Sequence, residues 1–481
     1  MSISQANPAF SLDLSIVLDR SQPRGLRAQL EHALRAALRS GRLGPGARLP
    51  PSRVLAGELG VARSVVVDAY GQLVADGYLE ARQGSGTRVR AHFTIPERMS
   101  AGPEVRFRSG YPDPGTFPRR EWLRHYRATI TSQPDASFHY PYPEGTLELR
   151  RALAHYLGRV RAIAASPEQV MIFTGFSQAL AVLSRALRRR GHTRIAVEDP
   201  GFSYHRRIVA AAGLEPVPIP VDDGGMDVGR LWDLHVSAVL LAPAHSYPSC
   251  AVLSSDRRIE LLDWAQSSDG IIVEDDYDGL LRYDGLPLGA LQGLAPERVV
   301  YGGTATKVLA GALRLGWLVL PSRLAKDVVR EKFFDDLASE ALSQLALARL
   351  IEAGDLSRHL RRVRPLYRRR REAAVRAITR YLPEAEAVGV SAGLHLFVRL
   401  PAGCDEEKLV DTAAELGFDV EGGARHWADR ASAPPTLLLG YASLSESELE
   451  RGIATLGTAY ALTNGTIPPT AAAVSRQPVR L

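Results

Sequence analysis

The stretch Tyr301-Gly-Gly-Thr-Ala-Thr-Lys-Val-Leu-Ala-Gly-Ala-Leu-Arg-Leu-Gly-Trp317 concentrates side chains with distinctive chemistry. Lys307 is one of few lysines in a chain that takes most of its positive charge from arginine. A primary amine is the side-chain group that condenses with an aldehyde to a Schiff base. Thr304 and Thr306 precede it, and Arg314 follows seven residues later. An amine, two hydroxyls and a guanidinium on a short Gly-rich path suit an aldehyde cofactor that carries a phosphate, namely pyridoxal 5'-phosphate (PLP). Taken alone, the same stretch is also a strand end with one solvated lysine.

The elements that must position these groups are short β-branched runs alternating with helical patterns. The runs are Gln169–Phe173, Arg194–Val197, Ser237–Leu241, Gly270–Val273 and Val299–Tyr301, each followed by turn residues. This alternation predicts an α/β domain with a mostly parallel, buried sheet. Ligand groups then belong just past the C-terminal strand ends. Thr174-Gly-Phe-Ser-Gln178 opens a helix and offers an anion site through its backbone amides and hydroxyls. Phe202 follows the second run, placed to lie against a cofactor ring. His245 follows the third and can hydrogen-bond a ring oxygen. After the fourth, Asp275 suits a pyridine nitrogen, keeping it protonated, and Tyr277 suits a ring hydroxyl. Each has a bland alternative as cap, turn residue or core; five strand ends offering fitting groups together favour the cofactor.

The chain has 481 residues, 45% of them hydrophobic, and a net charge of +6. That length implies more than one domain. The charge is uneven: residues 1–95 hold 12 arginines, no lysine and 7 acids. A basic module on a near-neutral body fits a nucleic-acid binder joined to a sensing or catalytic domain. Cys250 and Cys404 are the only cysteines, too few for a disulfide framework, which predicts a reducing compartment. No secretory signal or run of about 18 apolar residues appears, so the expectation is a cytoplasmic protein with no membrane partner.

Leu26, Leu30, Leu34 and Leu38 recur at helical spacing before Gly41. A short helix Ser52–Leu59 ends at Gly60, and another runs from about Ala62 to Ala75. A hairpin, Tyr78–Ala81 and Thr87–Arg90, closes around Gln83-Gly-Ser-Gly86. This is the pattern of a winged helix-turn-helix, whose second helix enters the major groove. Candidate DNA contacts are Ser52 and Arg53, then Arg63, Ser64 and Val65, and the wing tip Gly84, Ser85 and Gly86. Residues 26–90, with Leu49-Pro-Pro-Ser-Arg-Val-Leu-Ala56, Leu59-Gly-Val-Ala-Arg63 and Gly77-Tyr-Leu79, resemble the DNA-binding domain of GntR-family transcriptional regulators. The organisation expected is a DNA-binding domain over 1–90 (core 22–90), a linker over 91–104, an effector domain over 105–460 and a disordered tail over 461–481.

Roughly residues 107–460 resemble fold-type I aminotransferases, and the fusion resembles the MocR (GabR-like) subfamily of GntR regulators. Further matches are Phe107-Arg-Ser-Gly-Tyr-Pro-Asp113, Gly393-Leu-His395 and Leu439-Gly-Tyr-Ala442. The resemblance implies Lys307 as the Schiff-base lysine, Asp275 at the pyridine nitrogen, and Tyr277 and His245 near the ring hydroxyl. It implies Phe202 on the ring, and Thr304 and Arg314 with the Ser177-Gln178 turn on the phosphate. It also implies a homodimer in which Tyr140 reaches the phosphate of the neighbouring subunit.

One departure bears on function. Aminotransferases carry an arginine for the substrate α-carboxylate just before the Leu-Gly-Tyr-like motif, and Leu438 aligns there. Leucine offers no paired donors for a carboxylate. The expectation is therefore a PLP-dependent, operator-binding regulator that senses PLP itself or an amino-acid-like ligand. An active aminotransferase with a DNA-binding arm is the alternative, and a body that has lost PLP a weaker third. The run Arg358–Arg371 is basic, but Leu360, Val363 and Tyr367 share a stripe, which favours a helix with a solvated basic face over a second DNA contact.

Overall fold

The computed structural model describes Leu18 and residues 25–39, 43, 46–82, 86–90, 105–283, 285 and 288–465. Gly84 and Ser85, the linker 91–104 and the tail beyond 465 lie outside the described residues. The chain divides into two compact units, Met1–Gly102 and Pro103–Leu481.

In the first unit, helices α1 (Leu26–Arg39), α2 (Ser52–Leu59) and α3 (Arg63–Ala75) precede a hairpin of β1 (Leu79–Arg82) and β2 (Gly86–Val89). The four-residue spacing works as read: Leu30, Leu34 and Leu38 are fully buried against Val66, Ala69 and Leu73 of α3. Tyr70 donates to the Pro50 carbonyl at 3.0 Å, tying α3 to the segment that enters α2. Residues 46–49 run beside β2, with Leu49 N–H donating to Thr87 O at 2.9 Å and Val89 N–H to Ala47 O at 2.9 Å. The hairpin pairs Leu79 with Val89 through Arg82 with Gly86, the register that the expected strands imply, with both strand bounds shifted by one residue.

In the second unit, β3 (Val105–Arg106) comes first, and helices α4 (Arg119–Ser132) and α5 (Leu147–Arg161) follow. Next come β4 (Val170–Phe173), helix α6 (Phe176–Arg189), β5 (Arg194–Asp199), β6 (Glu215–Asp222) and β7 (Gly225–Met226). The remaining large-sheet strands are β8 (Ala238–Leu241), β9 (Ile271–Asp276), β10 (Val299–Thr304) and β11 (Gly316–Val319). They form one eight-stranded sheet in the order β4-β11-β10-β9-β8-β5-β6-β7. Strands β10, β9, β8, β5 and β6 are mutually parallel; β11 and β7 run against their neighbours. Alternation along each strand divides the core between the faces. Ile271, Val273, Ala238 and Leu240 pack against α6, whereas Ile272, Val239 and Leu241 pack with Trp264 on the other side.

A smaller sheet is built from β12 (Glu386–Val388), β13 (His395–Arg399), β15 (Glu421–Gly422) and β16 (Thr436–Gly440), in the order β12-β13-β16-β15. Between them β14 (Phe418–Asp419) pairs in parallel with β3. Phe107 N–H donates to Asp419 O at 2.8 Å, and Gly440 N–H to Phe107 O at 3.1 Å. These bonds fix residues 107–112 against the small sheet. The helix Asp355–Tyr381 buries Leu360, Val363 and Tyr367 and exposes Arg361, Arg362, Arg368 and Arg369. The last helix, Glu446–Thr463, continues past the expected boundary at 460, started by a reciprocal Ser445–Glu448 cap. No helix among the described residues is long and apolar enough to cross a membrane.

Candidate cofactor cleft and DNA-contact surface

A cleft of about 710 Å³ opens at the C-terminal ends of the parallel strands, within the size range of small-molecule sites. Phe202, Asp275, Tyr277, Thr304, Lys307, Arg314 and Ser177 all line it. They come from the ends of β5, β9 and β10, from the turn before β11 and from the first turn of α6.

Lys307 Nζ donates to the Gly110 carbonyl at 2.9 Å. Burial lowers its pKa, with Asp278 and Asp275 opposing the shift. A lowered pKa leaves more of the amine neutral, the form that attacks an aldehyde.

Asp275 is 7% exposed, and its Oδ1 is buried with no hydrogen-bond partner among the described residues. Its nearest cationic candidate, His205 Nε2, is 3.9 Å from Oδ2. Burial, chiefly, and then Lys307 and Arg206 hold the His205 pKa down at about 3, so that ring is neutral. Burial followed by the charges of Asp276, Glu198 and Asp278 pushes the Asp275 carboxyl well above the usual range. A buried acid in this position lacks a donor, and a protonated ring nitrogen supplies one. That orphaned oxygen is the fit of the cleft to a pyridine cofactor.

At the other end, Arg314 Nη2 donates to the Thr174 carbonyl at 2.8 Å and makes no ion pair among the described residues. It lies against the N-terminus of α6. A Cβ at Gly175, which has φ of +90°, would meet Arg314 Nη2 at 2.8 Å, so glycine permits the approach. A guanidinium without an ion pair, beside the helix N–H groups and the Ser177 hydroxyl, is an anion site. Thr304 Oγ1 donates to Leu315 O at 3.1 Å and accepts from Thr306 N–H at 3.1 Å, which fixes the turn into Lys307.

Phe202 stands edge-on to His205 and Tyr247, with ring centroids 5.0 and 5.3 Å away. Two expected residues lie elsewhere. His245 does not line the cleft; it is 2% exposed and stands behind Tyr277, whose hydroxyl is 3.1 Å from its Nδ1. The reason is Asp278, whose Oδ2 sits 2.8 Å from the same nitrogen and draws the ring inward. Burial alone would lower the His245 pKa, but Asp278 and Cys250 outweigh it and raise it to about 10. The Gln178 side chain also turns away, accepting from Thr174 N–H at 2.7 Å and donating to Asp335 and Asp336 at 2.8 Å each. Tyr140 is 93% exposed, away from this chain's cleft.

Ser109, Gly110, Tyr247, Glu421 and Arg425 also line the cleft and were not singled out from sequence. For Ser109 and Gly110 the sequence signal is the Phe107–Asp113 match, which names the segment but not its contact with Lys307.

In the first unit, Arg53, Arg63 and Ser64 are exposed at the starts of α2 and α3. Arg63 Nε donates to Ser52 Oγ at 3.3 Å, joining two expected contacts into one group. Val65 is partly buried against the module core, which takes it out of the exposed set. Gly86 begins β2.

Residues 26–89 match the family of bacterial regulatory proteins, gntR family, and residues 111–416 match aminotransferase class I and II. Over 462 residues the chain is 32% identical to the HTH-type pyridoxine biosynthesis transcriptional regulator PdxR of Corynebacterium glutamicum, covering 94% of this chain and 99% of that one. It is also 32% identical to the probable rhizopine catabolism regulatory protein MocR of Rhizobium meliloti, covering 92% and 96%.

The chain belongs to the MocR-type branch of the gntR family.

It is a regulator with an aminotransferase-like effector domain, and the cofactor of that class of domain is PLP. Among solved structures, the MocR-type effector domain resembles Pyrococcus horikoshii kynurenine aminotransferase in complex with PMP. The TM-score is 0.68 and the identity 27%, over 74% of this chain and 90% of the other.

Proposed function

We propose that this MocR-type chain is a cytoplasmic, homodimeric regulator that holds operator DNA through its first unit and takes PLP occupancy of its second as the signal. The observation that carries the reading is the pairing of an orphaned, buried Asp275 oxygen with an amine, Lys307, in one cleft. Bound PLP supplies an aldehyde and an electron-withdrawing ring. Lys307 holds the aldehyde carbon, and Asp275 keeps a proton on the ring nitrogen. Tyr277 faces the ring hydroxyl, with His245 positioning it from behind. Phe202 covers the ring, while Arg314, Ser177, Thr304 and the start of α6 hold the phosphate. Tyr140, exposed here, is assigned to the phosphate of the partner subunit. Ser52, Arg53, Arg63 and Ser64 are assigned to DNA, together with the wing of Gly84, Ser85 and Gly86.

Regulation of vitamin B6 metabolism is supported by the similarity to PdxR, named for pyridoxine biosynthesis. The test is operator binding and transcription measured with and without PLP and with candidate amino acids. A response to PLP alone is expected; a response to an amino acid with none to PLP removes the idea.

A working aminotransferase is the second reading, favoured by the enzyme neighbours of the fold. Against it stands Leu438, fully buried with Cys250 and Phe397. It offers no fork for an α-carboxylate, so an amino acid is not held over the reacting atoms.

A further inference from the structure

The charges lining the cleft divide sharply. Lys307 and Arg314 face no carboxylate within ion-pair distance among the described residues. The two cations at the opposite wall are each already matched: Arg108 Nε lies 3.6 Å from Asp419 Oδ2, and Arg425 Nη1 lies 3.5 Å from Glu421 Oε1. Each described cation at that wall therefore stands beside an acid that offsets its charge toward a ligand carboxylate.

Its acceptors are well organised. Ser109 Oγ donates to Glu421 Oε2 at 2.7 Å, which leaves Tyr247 OH to donate to Ser109 Oγ at 2.8 Å. His426 Nε2 lies 3.1 Å from Glu421 Oε1. Burial raises the Glu421 pKa, but the bonds from His426 and Ser109 and the charge of Arg425 outweigh it and keep the carboxylate ionised. A carboxylate has about four acceptor positions, so Glu421 keeps capacity for a further donor. Register adds the remaining piece: Glu421 on β15 lies directly opposite Leu438 on β16. Directly opposed residues share one face of a sheet. An acid thus stands beside the leucine, and ligand carboxylates meet repulsion as well as missing donors.

We propose that the space between Lys307 and Glu421 takes a carboxylate-free amine bearing a second hydrogen-bond donor, an amino alcohol or a diamine, in place of an α-amino acid. The ligand amine faces Lys307, and its hydroxyl or second ammonium donates to Glu421, a charge-assisted contact. Tyr247 and Phe202 supply the apolar wall along the carbon chain. This goes beyond PLP sensing by naming a second ligand, and it rests on the cleft being the cofactor site.

The experiment is calorimetric titration of the full-length protein, with PLP present, using ethanolamine, ethylenediamine and glycine and their homologues longer by up to three methylenes. The amino alcohols or diamines are expected to bind at least about tenfold tighter than the matching amino acids, roughly the value of one charge-assisted bond. Glu421→Gln is expected to remove the diamine preference. Ser109→Ala, which frees Glu421 from one donor and leaves its charge, is expected to retain it. Equal or tighter binding of the amino acids, no heat with any amine, or an unchanged preference in Glu421→Gln overturns the proposal. The visible spectrum of the same samples reports separately on the cofactor reading: a colourless protein with saturating PLP overturns that reading, while the order of the calorimetric affinities decides this one.

Discussion

Lys307 Nζ and the carbonyl of Gly110 are joined by a 2.9 Å hydrogen bond across 197 residues of sequence. Gly110 has φ of +71°, and a Cβ there would sit 3.0 Å from Nζ. The amine is thus held in place by backbone, and no carboxylate among the described residues stands within ion-pair distance of it. Lys307→Ala is expected to abolish the visible band of the PLP-loaded protein and any hydride-reducible adduct, while the full-length variant keeps the circular dichroism of the wild type and still binds DNA through a folded first unit. Gly110→Ala keeps the amine but strains its support, so a weaker, slower-forming band is expected, read by mixing PLP with apoprotein.

Arg314, at the end of the cleft proposed for the phosphate, makes no ion pair among the described residues. Arg314→Ala removes a charged hydrogen-bond donor worth about 1.5–3 kcal/mol. PLP affinity is expected to fall by on the order of 10- to 100-fold. Pyridoxal, which has no phosphate, gives the control: its affinity should change little. Equal losses for both ligands would place Arg314 in a purely structural role.

The buried His245–Asp278 pair ties stability to pH. The folded-state pKa of His245 is raised from 6.5 to about 10. A raised value stabilises fully below about pH 6.5, and the contribution drains away as pH rises toward 10. The difference in thermal stability between wild type and His245→Asn is therefore expected to be widest in mild acid and to narrow in alkali. Melting curves of both proteins across that window check it; a gap that grows with pH contradicts the pairing.

Arg63 is exposed at the start of α3 and bonded to Ser52 at the start of α2. Arg63→Ala is expected to weaken operator binding by about 1–3 kcal/mol and to relax base preference at one position. Binding to a set of single-base operator variants measures both. Uniform weakening across all variants instead assigns Arg63 to phosphate.

Strands β4, β5, β8, β9 and β10 were legible because they are continuous apolar runs bounded by turn residues, and the groups just past their ends follow from chain direction alone. Strand β6 was not legible. Its sequence, Glu-Pro-Val-Pro-Ile-Pro-Val-Asp, carries proline at every second position, which reads as a break, although Val217 and Ile219 are buried between those prolines. Antiparallel β11 hid inside the Gly-rich lysine stretch. His245 was assigned to the ring because it follows a strand, but the ion pair that turns it inward depends on Asp278, 33 residues away. Ser109 and Glu421 are 312 residues apart and carry no motif between them. Their meeting is set by the pairing of β3 with β14, a contact that no local pattern encodes.

The first unit buries its own leucines, valines and tyrosine around α1 and α3. Chains leave the ribosome N-terminus first. The first unit can therefore gather its own core while the second is still being translated.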